Sequence, residues 1–148
     1  MSPRVRLAVR GIILRDDRVL MVNAWPEGSD LLCAPGGGVE VGQSLPDNLK
    51  REVYEETGLG VDVRDVVLVN EFHDPTRDFH QVDVYFRCRL ISGDPHGDWS
   101  DPEGVVNQRH WLTRAELMET RFKPDSLPEV VWEWDGKAAY DPLELLLK

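Results

Sequence analysis

The stretch GGVEVGQSLPDNLKREVYEETGL, residues 37–59, places three glutamates within five positions, after a glycine-rich segment and among apolar residues. Ser44 is a good helix N-cap, Pro46 is tolerated in the first turn, and Gly58 stands where a left-handed C-cap glycine belongs. The spacing therefore predicts a helix over residues 45–57.

The angular positions on this helix distinguish the three glutamates. At about 100° per residue, Glu56 falls within the apolar stripe that contains Leu49 and Val53, and Glu52 borders that stripe. Glu55 lies one step further round the helix. Carboxylates gathered at the edge of a buried face repel each other and lose hydration, so at least one pKa would be raised unless positive charge compensates.

Two interpretations of these glutamates compete. Arg51 supplies only one positive charge, and a hard divalent cation with oxygen ligands, for which Mg²⁺ is the usual ion beside phosphates, would balance the remainder. The alternative is a solvated acidic helix face with i, i+4 pairs, which is a common use of Glu. Three glutamates alone favour the solvated face, but their position on the apolar side favours the metal site.

Composition limits the class of protein. The chain has 148 residues, 41% hydrophobic and 30% charged, which fits one globular domain over residues 1–148. Its formal net charge is −10, and no cluster of Lys and Arg is present in the sequence. A surface that follows a nucleic-acid backbone needs such a cluster, so we expect no nucleic-acid partner.

Cysteine usage and hydropathy indicate the compartment. Cys33 and Cys88 are far apart with no CxxC spacing, which argues against a disulfide framework or a zinc knuckle and suits a reducing cytoplasm. Arg10 interrupts the first apolar run, so a signal peptide is not expected. No segment approaches the roughly 20 apolar residues of a membrane span, and no membrane partner is expected.

The order of predicted elements indicates the fold class. Residues 4–14 and 18–25 read as strands of a hairpin, and residues 61–72 and 80–91 as two further strands. In the last of these, apolar residues alternate with polar ones that include Asp83 and Tyr85, which predicts a half-buried strand. Capping-box patterns at residues 113–116 and 126–129 predict short helices after them. Strands mixed with helices in this order predict an α+β domain, with layers of the α/β/α type.

The stretch at 37–59 also resembles a known motif, the Nudix box, which is G, five residues, E, seven residues, then R-E-(apolar)-x-E-E-x-G-(apolar). The chain matches it at Gly37, Arg51, Glu52, Val53, Glu55, Glu56, Gly58 and Leu59. The six fixed Gly, Arg and Glu matches have a chance on the order of 10⁻⁷ per start position. The chain is therefore similar to the Nudix hydrolase family.

This resemblance implies a fold and an activity. The fold would be a mixed β-sheet sandwiched between α-helices, with a loop-helix-loop metal site. The activity would be hydrolysis of a diphosphate bond in a nucleoside diphosphate linked to another moiety, with Mg²⁺ or Mn²⁺ as cofactor. The partner would then be a small-molecule nucleotide-type diphosphate, whose identity the sequence leaves open. The oligomeric state is open as well, a homodimer included.

The resemblance also implies residue roles. Glu52, Glu55, Glu56 and the carbonyl group of Gly36 would hold the metal, and Arg51 would orient Glu55 and the loop. Nudix enzymes often carry a further catalytic or metal-linked acid in a late loop. Glu103 stands at such a place, in the long loop over residues 92–107 that also carries Asp101. Plain loop acidity is an equally good interpretation of Glu103.

One position departs from the motif, because the box has Glu where this chain has Gln43. In the family that glutamate is thought to pair with the box arginine. The Gln43 amide oxygen can still accept a hydrogen bond from Arg51, without the ionic part of the contact. Two alternatives to an enzyme therefore stay open. One is a catalytically weak Nudix module that binds a nucleotide in a regulatory role, and the other is a purely structural acidic domain.

Overall fold

A computed structural model describes residues 4–23, 30–102, 106 and 108–145 of the chain. The described strands are β1 (Arg6–Arg15), β2 (Arg18–Asn23), β3 (Leu32–Cys33), β4 (Gly36–Gly38), β5 (Gly60–Asp74), β6 (Phe79–Ser92), β7 (Arg109–Leu112), β8 (Ala139–Tyr140) and β9 (Glu144–Leu145). The described α-helices are α1 (Leu45–Thr57), α2 (Arg114–Met118) and α3 (Leu127–Trp132), and one 3-10 turn covers Pro75–Arg77.

The strands form one mixed sheet in the order β3-β2-β1-β6-β5-β8. The predicted hairpin of β1 and β2 is present, and Asp16 and Asp17 form its turn with φ of 52° and 61°. Strand β1 runs parallel to β6 and antiparallel to β4, where Arg10 is paired with Gly36. This register brings the glycine segment beside the middle of the sheet.

Helices cover both faces of the sheet, as predicted for the α/β/α arrangement. Leu49 and Val53 of α1 pack with Val9 and Ile13 of β1 on one face. On the other face, alternate residues such as Ile12 pack in the cluster that contains Leu117 of α2 and Leu127, Val130 and Val131 of α3. The period of two along β1 places consecutive apolar residues on opposite faces and so supplies both cores.

The local helix signals are confirmed with one exception. Helix α1 has the predicted bounds, the Ser44 Oγ accepts a hydrogen bond from the Asp47 N–H at 3.1 Å, and Gly58 has a φ of 74°. The capping box at Thr113 is formed. The capping box predicted at Ser126 is not formed. Helix α3 does follow this residue, but the Ser126 hydroxyl donates to Asp141 Oδ2 at 2.7 Å instead of capping the helix.

The prediction that β6 is buried on only one face is wrong for its first half. Asp83 is 3% exposed and Tyr85 is 2% exposed, although both lie on the polar side of the alternating pattern. Tyr85 packs in the cluster formed with α2 and α3, so the second face of β6 is covered as well. The carboxylate of Asp83 is tolerated there because Gln81 donates to it and Arg10 lies near it.

The described residues contain neither a disulfide nor a membrane helix. Cys33 and Cys88 are free thiols, the first buried and the second partly buried. Helix α1 has 13 residues, and no helix of the described segments is both long and apolar enough to cross a bilayer.

Candidate active site

A cavity of about 290 Å³ lies where α1 and β4 meet the middle of the sheet. Glu52, Glu55 and Glu56 line it together with Gly36–Gly38, so the structure brings the predicted metal ligands to one wall. Arg51 lies behind this wall and contacts Glu52 and Glu55. Glu103 lies outside the described residues.

Glu56 is the most deeply placed of the three acids. Only 9% of the residue is exposed, and its Oε1 accepts a hydrogen bond from the Gly36 N–H at 3.2 Å. Burial raises the pKa of Glu56 to about 8, against the opposing effects of Arg10 and the Gly36 N–H, and the charges of Glu52 and Asp101 raise this pKa further. The sequence correctly predicted an inward carboxylate with a raised pKa on this helix.

Glu52 lies directly against the backbone of the glycine segment. A Cβ atom placed on Gly37 would be 2.7 Å from the Glu52 carboxylate carbon and from its Oε2. Any side chain at position 37 would therefore move this carboxylate or the strand β4. Glycine at position 37 therefore allows the Glu52 carboxylate to lie in its present place against the backbone.

Arg51 holds the exposed side of the acidic wall. Its Nη1 donates to Glu52 Oε1 at 3.2 Å and to Glu55 Oε2 at 3.4 Å, and its Nε donates to Gln43 Oε1 at 3.4 Å. Glu40 Oε1 also lies 3.7 Å from Arg51 Nη2. Gln43 thus contacts the arginine as expected, and Glu40, which sequence reasoning missed, adds a carboxylate from outside the helix.

The donor atoms on this wall suit a hard cation. They are carboxylate oxygens beside a glycine backbone, and the burial of Glu56 makes its negative charge costly unless a cation balances it. Within the described segments, however, no three Asp, Glu, His or Cys side chains converge into a closed metal cage. Mg²⁺ keeps several waters and takes substrate phosphates as ligands, so an open site with few protein ligands fits it.

The long loop after β6 is fastened to the C-terminal end of α1. Trp99 Nε1 donates to the Glu55 carbonyl at 2.8 Å, and Arg109 Nη1 donates to the Thr57 carbonyl at 2.7 Å. The Trp99 ring lies edge-on to Tyr54, with ring centroids 5.2 Å apart. A Cβ on Gly58 would lie 2.6 Å from this ring. These contacts satisfy carbonyl groups that a helix end leaves without intrahelical partners.

The fastened loop brings a further acid to the cavity. Asp101 is part of the cavity lining, and its Oδ2 accepts a hydrogen bond from the Val106 N–H at 2.9 Å. Sequence reasoning placed Asp101 and Glu103 on the same loop and favoured Glu103. The structure brings Asp101 to the three helix glutamates.

Sequence reasoning missed the polar floor of the cavity. Arg10 of β1 and Gln81 and Asp83 of β6 line the floor, although the strands that carry them read as ordinary sheet strands. The sequence did contain one indication of this floor, because Arg10 interrupts the apolar run of β1. Its partner Asp83 is 73 positions away in the sequence, so only the parallel register of β1 and β6 reveals the pair.

Comparison with known proteins identifies the family. The family model described as the NUDIX domain matches residues 4–132, which is more than half of the chain. The chain belongs to the NUDIX domain family. A MutT-like protein from Streptomyces ambofaciens is 30% identical to this Nudix chain over 118 residues, which are 79% of this chain and 70% of the relative.

Other relatives of this Nudix chain are matched over shorter segments. An ADP-ribose pyrophosphatase from Methanocaldococcus jannaschii is 32% identical over 91 residues, which cover 60% of this chain and 53% of the relative. The chain spans only 24% to 44% of the length of three further curated relatives. Among solved structures, a UDP-X diphosphatase has a TM-score of 0.73 at 20% identity, covering 95% of this chain and 69% of that one. This likeness confirms the predicted Nudix fold.

The raised pKa of Glu56 predicts how stability depends on pH in the absence of metal. The pKa is about 8 in the folded chain and near the ordinary 4.5 in the unfolded one, so the folded state retains a proton between these values. The free energy of unfolding therefore falls as pH rises from 4.5 to 8. In Glu56→Gln this contribution is expected to vanish, which makes the metal-free variant at least as stable as wild type at pH 8.

Urea denaturation in EDTA at several pH values measures this effect. Glu119→Gln, which removes an exposed acid at the C-cap of α2, serves as the control and should keep the wild-type pH dependence. An unchanged pH dependence in Glu56→Gln would show that other groups cause the slope.

Proposed function

We propose that this Nudix chain hydrolyses a diphosphate bond in a nucleoside diphosphate linked to another moiety, with Mg²⁺ or Mn²⁺ as cofactor. The observation that carries this proposal is the single cavity wall on which Glu52, Glu55 and Glu56 stand beside Gly36. The relatives of the chain, among them an ADP-ribose pyrophosphatase, support a substrate with a diphosphate bond.

Glu52, Glu55 and Glu56, with the carbonyl group of Gly36, would hold the metal. When bound, the metal would neutralise charge on the diphosphate oxygens and make water a better nucleophile. The backbone of the chain sets the positions of these carboxylates. Gly37 lets the Glu52 carboxylate approach the backbone, and the Gly36 N–H fixes the Glu56 carboxylate from below. Water attacks one phosphorus atom, the bond to the bridging oxygen breaks, and the products are two phosphate esters.

Arg51 acts as a positioning residue in this proposal. It does not line the cavity, but its contacts at 3.2 Å to Glu52 and 3.4 Å to Glu55 restrict both carboxylates. Glu103 would remove the proton of the attacking water, since the helix carboxylates are engaged as ligands. Asp101 is a competing candidate because it lines the same cavity.

The rival function is a nucleotide-binding module with weak catalysis, and Gln43 is the feature that suggested it. The structure favours the hydrolase, because the Gln43 amide accepts from Arg51 at 3.4 Å and Glu40 supplies a nearby negative charge. A purely structural domain is favoured least, because it gives the three glutamates that line the cavity no ligand to bind.

A hydrolysis screen tests the proposed function. The purified chain is incubated with Mg²⁺ and with ADP-ribose, UDP-glucose, a dinucleoside tetraphosphate, ATP or an oxidised nucleoside triphosphate, and chromatography detects the phosphate products. Hydrolysis of at least one compound that EDTA abolishes is the expected result. Stabilisation by Mg²⁺ and nucleotide without turnover would instead support the binding module.

The departure at position 43 gives a further prediction. In Gln43→Glu the contact with Arg51 becomes an ion pair, so we expect stability to rise by about 0.5 to 2 kcal/mol or Mg²⁺ to bind more tightly. Thermal denaturation with and without Mg²⁺ measures both effects. An unchanged melting curve and metal titration would mean that the amide and Glu40 already hold Arg51 in place.

A further inference from the structure

The floor of the cavity carries a carboxylate in a fixed orientation. Gln81 Nε2 donates to Asp83 Oδ1 at 2.6 Å, and Arg6 Nη1 donates in turn to Gln81 Oε1 at 3.1 Å. Asp83 Oδ2 accepts no hydrogen bond from a described residue and lies 3.7 Å from Arg10 Nε. One oxygen of Asp83 is thus held by the protein, while the other is left for a ligand in the cavity.

Arg10 offers donor groups beside this oxygen. Its Nη1 donates to the Ala34 carbonyl at 3.2 Å, but neither Nε nor Nη2 makes a hydrogen bond to a described residue. Nε is also fully buried. Arg10 is paired with Gly36 across β1 and β4, so its guanidinium group lies next to the acidic wall. The floor therefore presents acceptor and donor atoms side by side.

The described lining of the cavity has an excess of negative charge, which does not favour a chain of three phosphates. Its described lining contains three cationic residues, Arg6, Arg10 and Lys123, and six acidic ones. The Lys123 amino group already contacts Asp125 at 3.1 Å, and Arg6 is exposed at the cavity edge. A phosphate beyond those that the metal and Arg10 neutralise would therefore meet a described lining in which carboxylates outnumber cations.

We propose that Arg10, Gln81 and Asp83 form a selective floor that takes a diphosphate joined to an uncharged, hydroxyl-rich group and rejects a third phosphate. The inference rests on the proposed hydrolysis of nucleoside diphosphate derivatives and narrows their class to diphosphate sugars. Arg10 donates to the diphosphate, and Asp83 Oδ2 accepts from a sugar hydroxyl. Gln81 is a positioning residue that holds Asp83.

Hydroxyl groups match this floor because each can both donate and accept. Asp83 is 3% exposed, so a hydrogen bond to it forms in a site that excludes most water. A carboxylate that accepts from a hydroxyl is also a repulsive element against a phosphate in the same place. One side chain thereby favours the sugar and disfavours the triphosphate.

Matched substrate pairs test the inference on the wild-type chain. ADP-ribose is compared with ATP, and UDP-glucose with UTP, because each pair shares the nucleoside and differs in the group beyond the diphosphate. The kcat/KM of each diphosphate sugar should exceed that of its triphosphate by at least about 10-fold, the effect of one good polar contact. Equal values, or a preference for the triphosphates, would overturn the inference without any variant.

The residue assignment is tested with Asp83→Asn, which keeps the shape of the side chain. Its kcat/KM for the diphosphate sugars should fall about 10- to 100-fold, the range for a lost hydrogen bond to a charged group. The low triphosphate rate should rise, because the repulsive carboxylate charge is removed. Asp62→Asn, a partly exposed acid of β5 that does not line the cavity, is the control and should match wild type. An equal loss for both substrates of a pair would overturn the assignment.

Failure of the proposed function can be distinguished from failure of the inference. If no compound is hydrolysed, the proposed hydrolysis is wrong, and the melting temperature with Mg²⁺ and each ligand then decides the inference. Greater stabilisation of wild type by ADP-ribose than by ATP, reduced in Asp83→Asn, would support the selective floor. Equal stabilisation by the two ligands would overturn it.

Discussion

Turnover of the best substrate is expected to fall at least about 10²-fold in Glu55→Gln and in Glu56→Gln, with little change of fold. Each substitution removes a charged oxygen donor from the cavity wall and keeps the shape of the side chain. Steady-state kinetics at limiting and saturating Mg²⁺ measures the loss. Circular dichroism and thermal denaturation in EDTA establish that the variants are folded.

Asp47→Asn is the matched control for this prediction. It removes a negative charge from the first turn of the same helix, and Asp47 does not line the cavity. This variant should keep near-normal turnover. Near-normal rates in both glutamate variants at limiting Mg²⁺ would instead refute the assignment of the acidic wall as the metal site.

Glu103→Gln is expected to lower kcat by about 10² to 10⁴-fold, the usual range for the loss of a general base. Because Glu103 is proposed to act on water and not on the metal, the Mg²⁺ dependence and the substrate KM should change little. Asp101→Asn is expected to have a smaller effect on kcat. The pH dependence of kcat in the two loop variants identifies which acid transfers the proton.

Two results would contradict a role for Glu103. If Glu103→Gln keeps most of its turnover while the helix variants lose theirs, the base lies on the helix and the late loop only covers the substrate. If Asp101→Asn has the larger effect, the base is Asp101, which the structure places in the cavity lining.

The box helix could be predicted from the sequence to the residue. Ser44 and Gly58 delimit it through local backbone chemistry, and the apolar period orients Glu56 inward without any knowledge of the rest of the chain. The predicted cap at Ser126 was wrong because the Ser126 hydroxyl donates a hydrogen bond to Asp141, a residue from another part of the chain. Local patterns were reliable where no distant residue competed for the same atoms.

The floor of the cavity could not be predicted in the same way. An alternating strand is expected to have one solvent-exposed face, yet on that face of β6 Tyr85 packs with α2 and α3, and Asp83 lines the cavity. Arg10 by itself only interrupts an apolar run. The place of Arg10 and Asp83 on the cavity floor depends on the parallel pairing of β1 with β6, which no local pattern encodes.

The fastening of the late loop to α1 has a consequence for how the active site is assembled. The hydrogen bonds from Trp99 to the Glu55 carbonyl and from Arg109 to the Thr57 carbonyl join residues 44 and 52 positions apart. Contacts of such separation require long loop closures, so they form after the local helix. During synthesis, the acidic helix would leave the ribosome well before the residues that complete its C-terminal end. The 23-residue box is therefore not an autonomous module, and grafting it onto another scaffold would require equivalents of Trp99 and Arg109.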